Sequence, residues 1–134
     1  YSWFPLRIID LTSVTYDSLS FISTTKESEL PTIFKHMRGS SAGVRRNNDY
    51  WFVTHMVYYE TPRIYIHLLV KMSLDFKIIG TTVPFCFDEK RIEYCLGILA
   101  DEEDVFRLSY SVNDGCSKEI RIPYEWITTN LIQL

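Results

Sequence analysis

Short runs of β-branched and aromatic residues alternate with turn-forming residues along most of this chain. These runs occupy residues 6–11, 50–57, 64–71, 77–82, 92–100, 105–112 and 118–122. Because β-branched and aromatic residues are enriched in strands, each run predicts a short β-strand. The sequence therefore predicts an all-β fold.

Turn-forming residues separate the predicted strands at short intervals. They include Asn47-Asn48-Asp49, Thr61-Pro62, Ser73-Leu74-Asp75, the acidic run Asp101-Glu102-Glu103-Asp104 and Asn113-Asp114-Gly115. Gly, Pro, Asn and Asp favour the backbone conformations of tight turns. Connections this short join successive antiparallel strands, as in a sandwich, a barrel or the blades of a propeller.

Two segments carry weaker patterns. Residues 12–32 are polar and lack clear periodicity, and Pro31 closes the stretch, so we predict a long loop there. Residues 123–127 either open a short helix, with Pro123 in the first turn, or continue as irregular chain. The sequence leaves both alternatives open.

Composition limits the classes of protein to which the chain can belong. Its 134 residues, 46% hydrophobic and 15% aromatic, are enough for one folded domain over residues 1–134. The net charge is −3 and no basic run is present, so we expect no nucleic-acid binding. Neither a membrane span nor a signal peptide is visible, so we expect no membrane association.

The cysteines and histidines indicate a compartment and argue against a metal. Cys86, Cys95 and Cys116 are odd in number and have no C-x-x-C spacing, which is typical of a reducing compartment. This predicts a cytoplasmic location. The three histidines and three cysteines also lack metal-ligand spacing, so we expect no metal and no cofactor.

Polar residues with strong hydrogen-bonding groups stand near the ends of predicted strands. They are Arg38, Ser40, His55, Arg63 and His67. Guanidinium, hydroxyl and imidazole groups suit the hydroxyls of a sugar or the oxygens of a phosphate. The alternatives are an exposed arginine in a turn and histidines that are satisfied within the core.

Two acidic residues and an aromatic pair complete the candidates. Glu93 interrupts an apolar strand, so burial of its carboxylate needs a partner such as an arginine; otherwise it lies on an exposed strand face. Asp114 lies in a turn sequence where Asp is favoured in any hairpin. Tyr58 and Tyr59, close to Arg63, either stack on a sugar ring or pack at the rim of the core.

Six motifs in order along the chain resemble one family. They are Tyr1-Ser2-Trp3-Phe4-Pro5-Leu6, Arg38-Gly39-Ser40-Ser41, Phe52-Val53-Thr54-His55-Met56-Val57, Pro62-Arg63-Ile64-Tyr65-Ile66-His67, Ile92-Glu93-Tyr94-Cys95-Leu96-Gly97 and Ser109-Tyr110-Ser111-Val112-Asn113-Asp114. This series resembles the five-bladed β-propeller modules attached to some glycosyltransferases and, more distantly, the propellers of β-mannoside phosphorylases. The resemblance covers nearly the whole chain apart from residues 12–32. It implies antiparallel blades, of which this chain would supply the C-terminal part, about half, at roughly 40 to 50 residues per blade.

The resemblance also implies a site and a ligand. In such propellers the sugar site lies on the axis, where the innermost strands present polar residues. The matching positions here are Arg38, Ser40, His55, Arg63, His67, Glu93 and Asp114. The implied ligand is a sugar or a sugar phosphate, which the module binds or processes.

Whether the chain belongs to an enzyme stays open at this point. No residue matches the catalytic carboxylate of the phosphorylases, which comes from an earlier blade, so the resemblance favours part of a glycosyltransferase, phosphorylase or hydrolase-like enzyme whose acid lies elsewhere. The alternatives are a non-catalytic carbohydrate-binding module and a structural protein-interaction propeller. Because the chain begins at Tyr1 rather than Met, and half a propeller leaves apolar faces uncovered, we expect further blades from upstream chain or a second copy as partners.

Overall fold

Antiparallel strands make up most of the structure, a computed structural model that describes residues 2–9, 11–13, 21–89, 92–101 and 104–134. All strand pairings in the described residues are antiparallel. The all-β prediction is therefore confirmed. The sequence favours one domain, and the contacts divide the chain into two compact units, Tyr1–Met37 and Arg38–Leu134.

The first unit contains a three-stranded sheet and short 3-10 helices. Its strands are β1 (Ser2–Trp3), β2 (Leu6–Ile9) and β3 (Phe21–Thr25), in that spatial order. The 3-10 helices span Leu11–Ser13, Glu27–Glu29 and Thr32–His36. Trp3 and Phe34 are buried, and their ring centroids lie 6.3 Å apart.

Strand β3 lies within residues 12–32, the stretch that the sequence predicts as a long loop. The strand forms because Phe21-Ile22-Ser23-Thr24-Thr25 is rich in β-formers and pairs with β2. Its polar composition hides this tendency from a reading of apolar periodicity. Residues 14–20 of the predicted loop lie outside the described residues.

The second unit contains two sheets and one short helix in the described part of the chain. The larger sheet has the order β12-β8-β7-β6-β4, with β5 also paired to β6, and the smaller sheet has the order β11-β10-β9. The strands are β4 (Arg38–Gly39), β5 (Val44–Arg46), β6 (Asp49–Tyr58), β7 (Ile64–Ser73), β8 (Ile78–Thr82), β9 (Glu93–Ala100), β10 (Val105–Val112), β11 (Cys116–Pro123) and β12 (Leu131–Gln133). Residues 124–129 form a short helix, α1 (Tyr124–Thr129), which is one of the two alternatives that the sequence left open for residues 123–127.

The core of this unit lies between its two sheets. Trp51 and Leu69 come from the larger sheet, Phe106 and Leu108 from the smaller, and Ile127 from α1, and all five are fully buried. The rings of Trp51 and Phe106 lie 5.6 Å apart between centroids. Burial of side chains of this size stabilises the fold by roughly 1.5 to 3 kcal/mol each.

Two local features hold the edges of this unit. Gly80 allows β8 to approach β12, because a Cβ atom there would lie 2.9 Å from the backbone oxygen of Ile132. Arg46 donates to the backbone oxygen of Asp101 at 3.2 Å and lies over the ring of Tyr124 at 4.5 Å.

Within the described residues, no helix is both long enough and apolar enough to cross a lipid bilayer.

Candidate functional site

Arg38, His55 and His67 form a row across three neighbouring strands. Arg38 of β4 lies opposite His55 of β6, and His55 lies opposite His67 of β7. Residues directly opposite one another in antiparallel strands share a face of the sheet. Arg38 is exposed, His55 is 4% exposed and His67 is 0% exposed. The row therefore runs from solvent into the interior.

His55 is held from several sides. Its Nδ1 atom lies 2.6 Å from the hydroxyl oxygen of Ser40, and the direction of that hydrogen bond depends on the tautomer. Its ring stacks on Tyr65 and meets the edge of Tyr94, both at 5.4 Å between centroids. Burial, and then the charge of Arg38, lower the pKa of His55. The imidazole is therefore neutral at pH 7.

His67 lies deeper, among aromatic rings. Its ring centroid is 4.4 Å from that of Phe87 and 6.1 Å from that of Phe85. Burial, followed by the charge of His55, lowers the pKa of His67 to about 3, although the nearby backbone of Glu93 opposes this in part. Neither ring nitrogen has a hydrogen bond of good geometry within the described residues. His67 is thus a neutral core histidine whose polar atoms carry a desolvation cost.

Arg38 and Arg63 meet at a single exposed tyrosine, Tyr59. Arg38 donates from Nη2 to the Tyr59 hydroxyl at 2.8 Å. The guanidinium carbons of Arg38 and Arg63 lie 5.9 Å and 5.5 Å from the centroid of the Tyr59 ring. Neither arginine has a carboxylate partner among the residues that the structure describes. These three residues are called the arginine platform below.

Glu93 fixes the loop at residues 87–89 through hydrogen bonds. Its side chain is fully buried, and its carboxylate accepts hydrogen bonds from the backbone N–H groups of Phe87 at 2.8 Å, Asp88 at 3.1 Å and Glu89 at 2.8 Å. Backbone amides, rather than the arginine that the sequence suggested, therefore compensate the buried charge. The backbone N–H groups of residues 87–89 reach this carboxylate because the loop folds back over Glu93, the first residue of β9.

Asp114 is exposed in the turn that joins β10 to β11. Asp114 and Asn113 both have left-handed backbone conformations, with φ of 53° and 51°. Asn and Asp tolerate this conformation better than other residues with a side chain, which is why the turn uses them. The local geometry thus matches the hairpin alternative weighed from the sequence.

The seven residues predicted from the sequence fall into three groups. One group lies together at the ends of β4, β6 and β7 and consists of Arg38, Ser40, His55 and Arg63. A second group, His67 and Glu93, is fully buried and faces no solvent. Asp114 stands apart from both in a turn of the smaller sheet.

Sequence reasoning missed a cavity at the end of the smaller sheet. Its volume is about 560 Å³, and it lies between Asp88 and Glu89 on one side and residues 112–118 on the other. No local pattern could reveal it, because its walls come from segments more than 20 residues apart. In the described part of the chain, no group of three or more His, Cys, Asp and Glu side chains is placed to hold a metal ion.

Comparison with models of known protein families, with curated proteins and with solved structures finds no match for this chain.

Proposed function

We propose that this chain is a carbohydrate-binding β domain that holds a sugar phosphate at the arginine platform. The observation that carries the proposal is that Arg38 and Arg63 share one exposed tyrosine and have no carboxylate partner in the described structure. The sequence resemblance to glycosyltransferase-associated propellers supports the same class of ligand.

The charges of the platform favour an anionic group. Two guanidinium groups beside one ring repel each other unless a counter-charge lies near them. A phosphate group offers several acceptor oxygens, and guanidinium groups bind such oxygens in a bidentate manner. The phosphate of the ligand therefore lies between Arg38 and Arg63 in our proposal.

The aromatic surface beside the platform accounts for the sugar. Tyr59 is 66% exposed and its neighbour Tyr58 is 48% exposed. An exposed aromatic face packs well against the C–H face of a sugar ring, while the phenolic oxygen remains available for a hydrogen bond. The partly buried hydrogen bond between Ser40 and His55 links the chain just after β4 to the residue opposite Arg38 and so helps to hold the strand that carries that arginine.

The proposal extends to the architecture of the longer protein. The two antiparallel sheets of the second unit act as blades of a five-bladed propeller, and further blades come from upstream chain or from a second copy. If an earlier blade supplies a carboxylic acid, the whole protein transfers a glycosyl group through an oxocarbenium-like state. Without such an acid, the domain binds carbohydrate and catalyses nothing.

A structural interaction domain is the second candidate. The full burial of His67 and Glu93 favours it, because both side chains serve the packing of the chain rather than a ligand. In that case the platform binds no sugar phosphate.

Calorimetric titration distinguishes these functions. We expect the protein to bind a hexose 1-phosphate more tightly than inorganic phosphate, and inorganic phosphate more tightly than the free hexose. Loss of one charged hydrogen bond costs about 1.5 to 3 kcal/mol, so Arg38→Ala and Arg63→Ala should each weaken binding by roughly 10- to 150-fold.

Arg45→Ala is the matched control, because Arg45 is an exposed arginine on β5 outside the platform. We expect its affinity to equal that of the parent. Absence of binding in the parent, or equal losses in all three variants, would overturn the proposal and leave the structural alternative.

A further inference from the structure

We infer that the cavity at the end of the smaller sheet is a second binding site, which takes a neutral, polyhydroxylated ring such as a sugar residue. Six residues that line it carry the argument: Asp88, Glu89, Val112, Asn113, Cys116 and Lys118. A volume of about 560 Å³ falls within the range of small-molecule sites and accommodates one or two sugar rings. The ligand class follows from the proposed function, and the position is separate from the arginine platform.

Both walls of the cavity are held in place by the protein itself. The buried carboxylate of Glu93 fixes the backbone of residues 87–89 through three hydrogen bonds. On the opposite wall, the N–H of Asn113 donates to the backbone oxygen of Ile92 at 2.8 Å. The ion pair between Lys118 and Asp88 joins the two walls. A ligand therefore enters a preformed site and loses little affinity to ordering of the walls.

The chemistry of the lining selects a neutral ligand. The carboxylates of Asp88 and Glu89 accept hydrogen bonds, the ammonium group of Lys118 donates them, and the amide of Asn113 does both. A sugar hydroxyl also donates and accepts, so it can pair with any of these groups. Val112 adds an apolar surface for the C–H face of a ring.

Charged ligands fit this lining less well. Lys118 is the one cation among the described residues that line the cavity, and it is already paired with Asp88, so an anion finds no unpaired positive charge there. A metal ion needs converging ligands, and the described residues contain no group of three or more His, Cys, Asp and Glu side chains that could hold one. The cavity thus differs in ligand preference from the platform, where the exposed charges are positive.

Cys116 reports on occupancy because it is exposed and lines the cavity. We expect glucose, galactose or mannose at saturating concentration to slow alkylation of Cys116 by iodoacetamide at least threefold. Cys86, which is half-buried and outside the lining, is the internal control, and its rate should not change. Mass spectrometry of peptides measures both rates in one sample.

Two variants test whether the lining residues are responsible. Asp88→Asn and Lys118→Gln change exposed side chains, and each should remove most of the protection, measured as the ratio of rates without and with sugar. Arg45→Ala, at an exposed position outside both sites, should keep the parent ratio. If no sugar protects Cys116 in the parent, or if Asp88→Asn and Lys118→Gln protect as the parent does, the inference is overturned.

The outcome for this cavity is separable from that for the arginine platform. Binding of a hexose 1-phosphate by the parent without protection of Cys116 by any sugar would overturn the cavity assignment alone. Protection of Cys116 without binding of a hexose 1-phosphate would overturn the proposed function and leave the cavity assignment standing.

Discussion

His55 and His67 lie directly opposite one another on β6 and β7, with their ring centroids 6.4 Å apart. Burial lowers the pKa of both imidazoles, and the charge of His55 lowers that of His67 further. Two cations this close in the interior would repel each other and would both lack hydration. The fold therefore keeps both imidazoles neutral, and protonation of either one destabilises the folded state.

We expect the free energy of unfolding to fall as the pH is lowered from 6.5 towards 3. The pKa of His67 is about 3 in the folded chain and 6.5 in its ordinary state, so between these values the unfolded chain binds more protons. Acid thus favours unfolding, and above about pH 6.5 this destabilisation is absent. One proton gives a slope of about 1.4 kcal/mol per pH unit, which urea unfolding at a series of pH values measures.

His67→Phe identifies the source of this slope. The variant removes the titrating group while keeping a ring that suits its aromatic surroundings. We expect the slope between pH 4.5 and 6 to fall by about one proton equivalent. Equal slopes in the parent and in His67→Phe would show that other groups cause the acid sensitivity.

Glu93→Ala should destabilise the protein by roughly 3 to 5 kcal/mol, because it removes the buried acceptor of three partly buried hydrogen bonds from backbone N–H groups. Glu93→Gln should lie between this variant and the parent, since the amide oxygen still accepts but its NH₂ group faces a donor. Chemical unfolding measures both. Glu119→Gln, on the exposed face of β11, should leave the midpoint nearly unchanged; a similar loss there would argue against a special role for Glu93.

Gly80→Ala should weaken the pairing of β8 with β12. The new methyl group would lie 2.9 Å from the backbone oxygen of Ile132, so one strand must move, at a cost of about 1 to 3 kcal/mol. Gly115→Ala is the control, because its nearest atom would be an ordinary 3.6 Å away. Faster hydrogen exchange at residues 131–133 in Gly80→Ala alone is the expected result, whereas unchanged exchange would mean that β12 adapts freely.

The three cysteines should react with a thiol reagent in the order of their exposure. Cys116 is exposed, Cys86 is half-buried and Cys95 is buried. Burial raises the pKa of the Cys95 thiol to about 12, so almost no thiolate is present at pH 8. Rates with an aromatic disulfide reagent should fall from Cys116 to Cys86 to Cys95. Rapid labelling of Cys95 in the native protein would contradict the observed burial.

The strands of the second unit were predictable because their signal is local. An apolar residue at every second position of β10 describes one buried face without knowledge of any partner strand, and β6 is rich in β-branched and aromatic residues along its whole length. Strand β3 lacks that signal and depends on its pairing with β2, so sequence periodicity could not find it. Short β-forming segments need a neighbour to become strands.

The candidate site was predictable as a set of residue types but not as an arrangement. The row of Arg38, His55 and His67 depends on strand register, and a shift of one residue would reverse the faces that these side chains share. Glu93 shows a second limit of prediction from the sequence. Side-chain chemistry alone suggests an arginine as its partner, whereas the donors to its carboxylate are backbone N–H groups, whose direction depends on the backbone conformation of residues 87–89.

The hydrogen bonds between Glu93 and the backbone of residues 87–89 have a consequence for which sequences this loop can carry. Glu93 bonds to main-chain N–H groups of Asp88 and Glu89, whose exposed side chains line the cavity. The hydrogen bonds that hold the backbone of this loop are thus independent of which side chains occupy those two positions. Ligand preference at the cavity can therefore change by single substitutions, and a new pair of side chains can be grafted there while the stability of the domain stays intact.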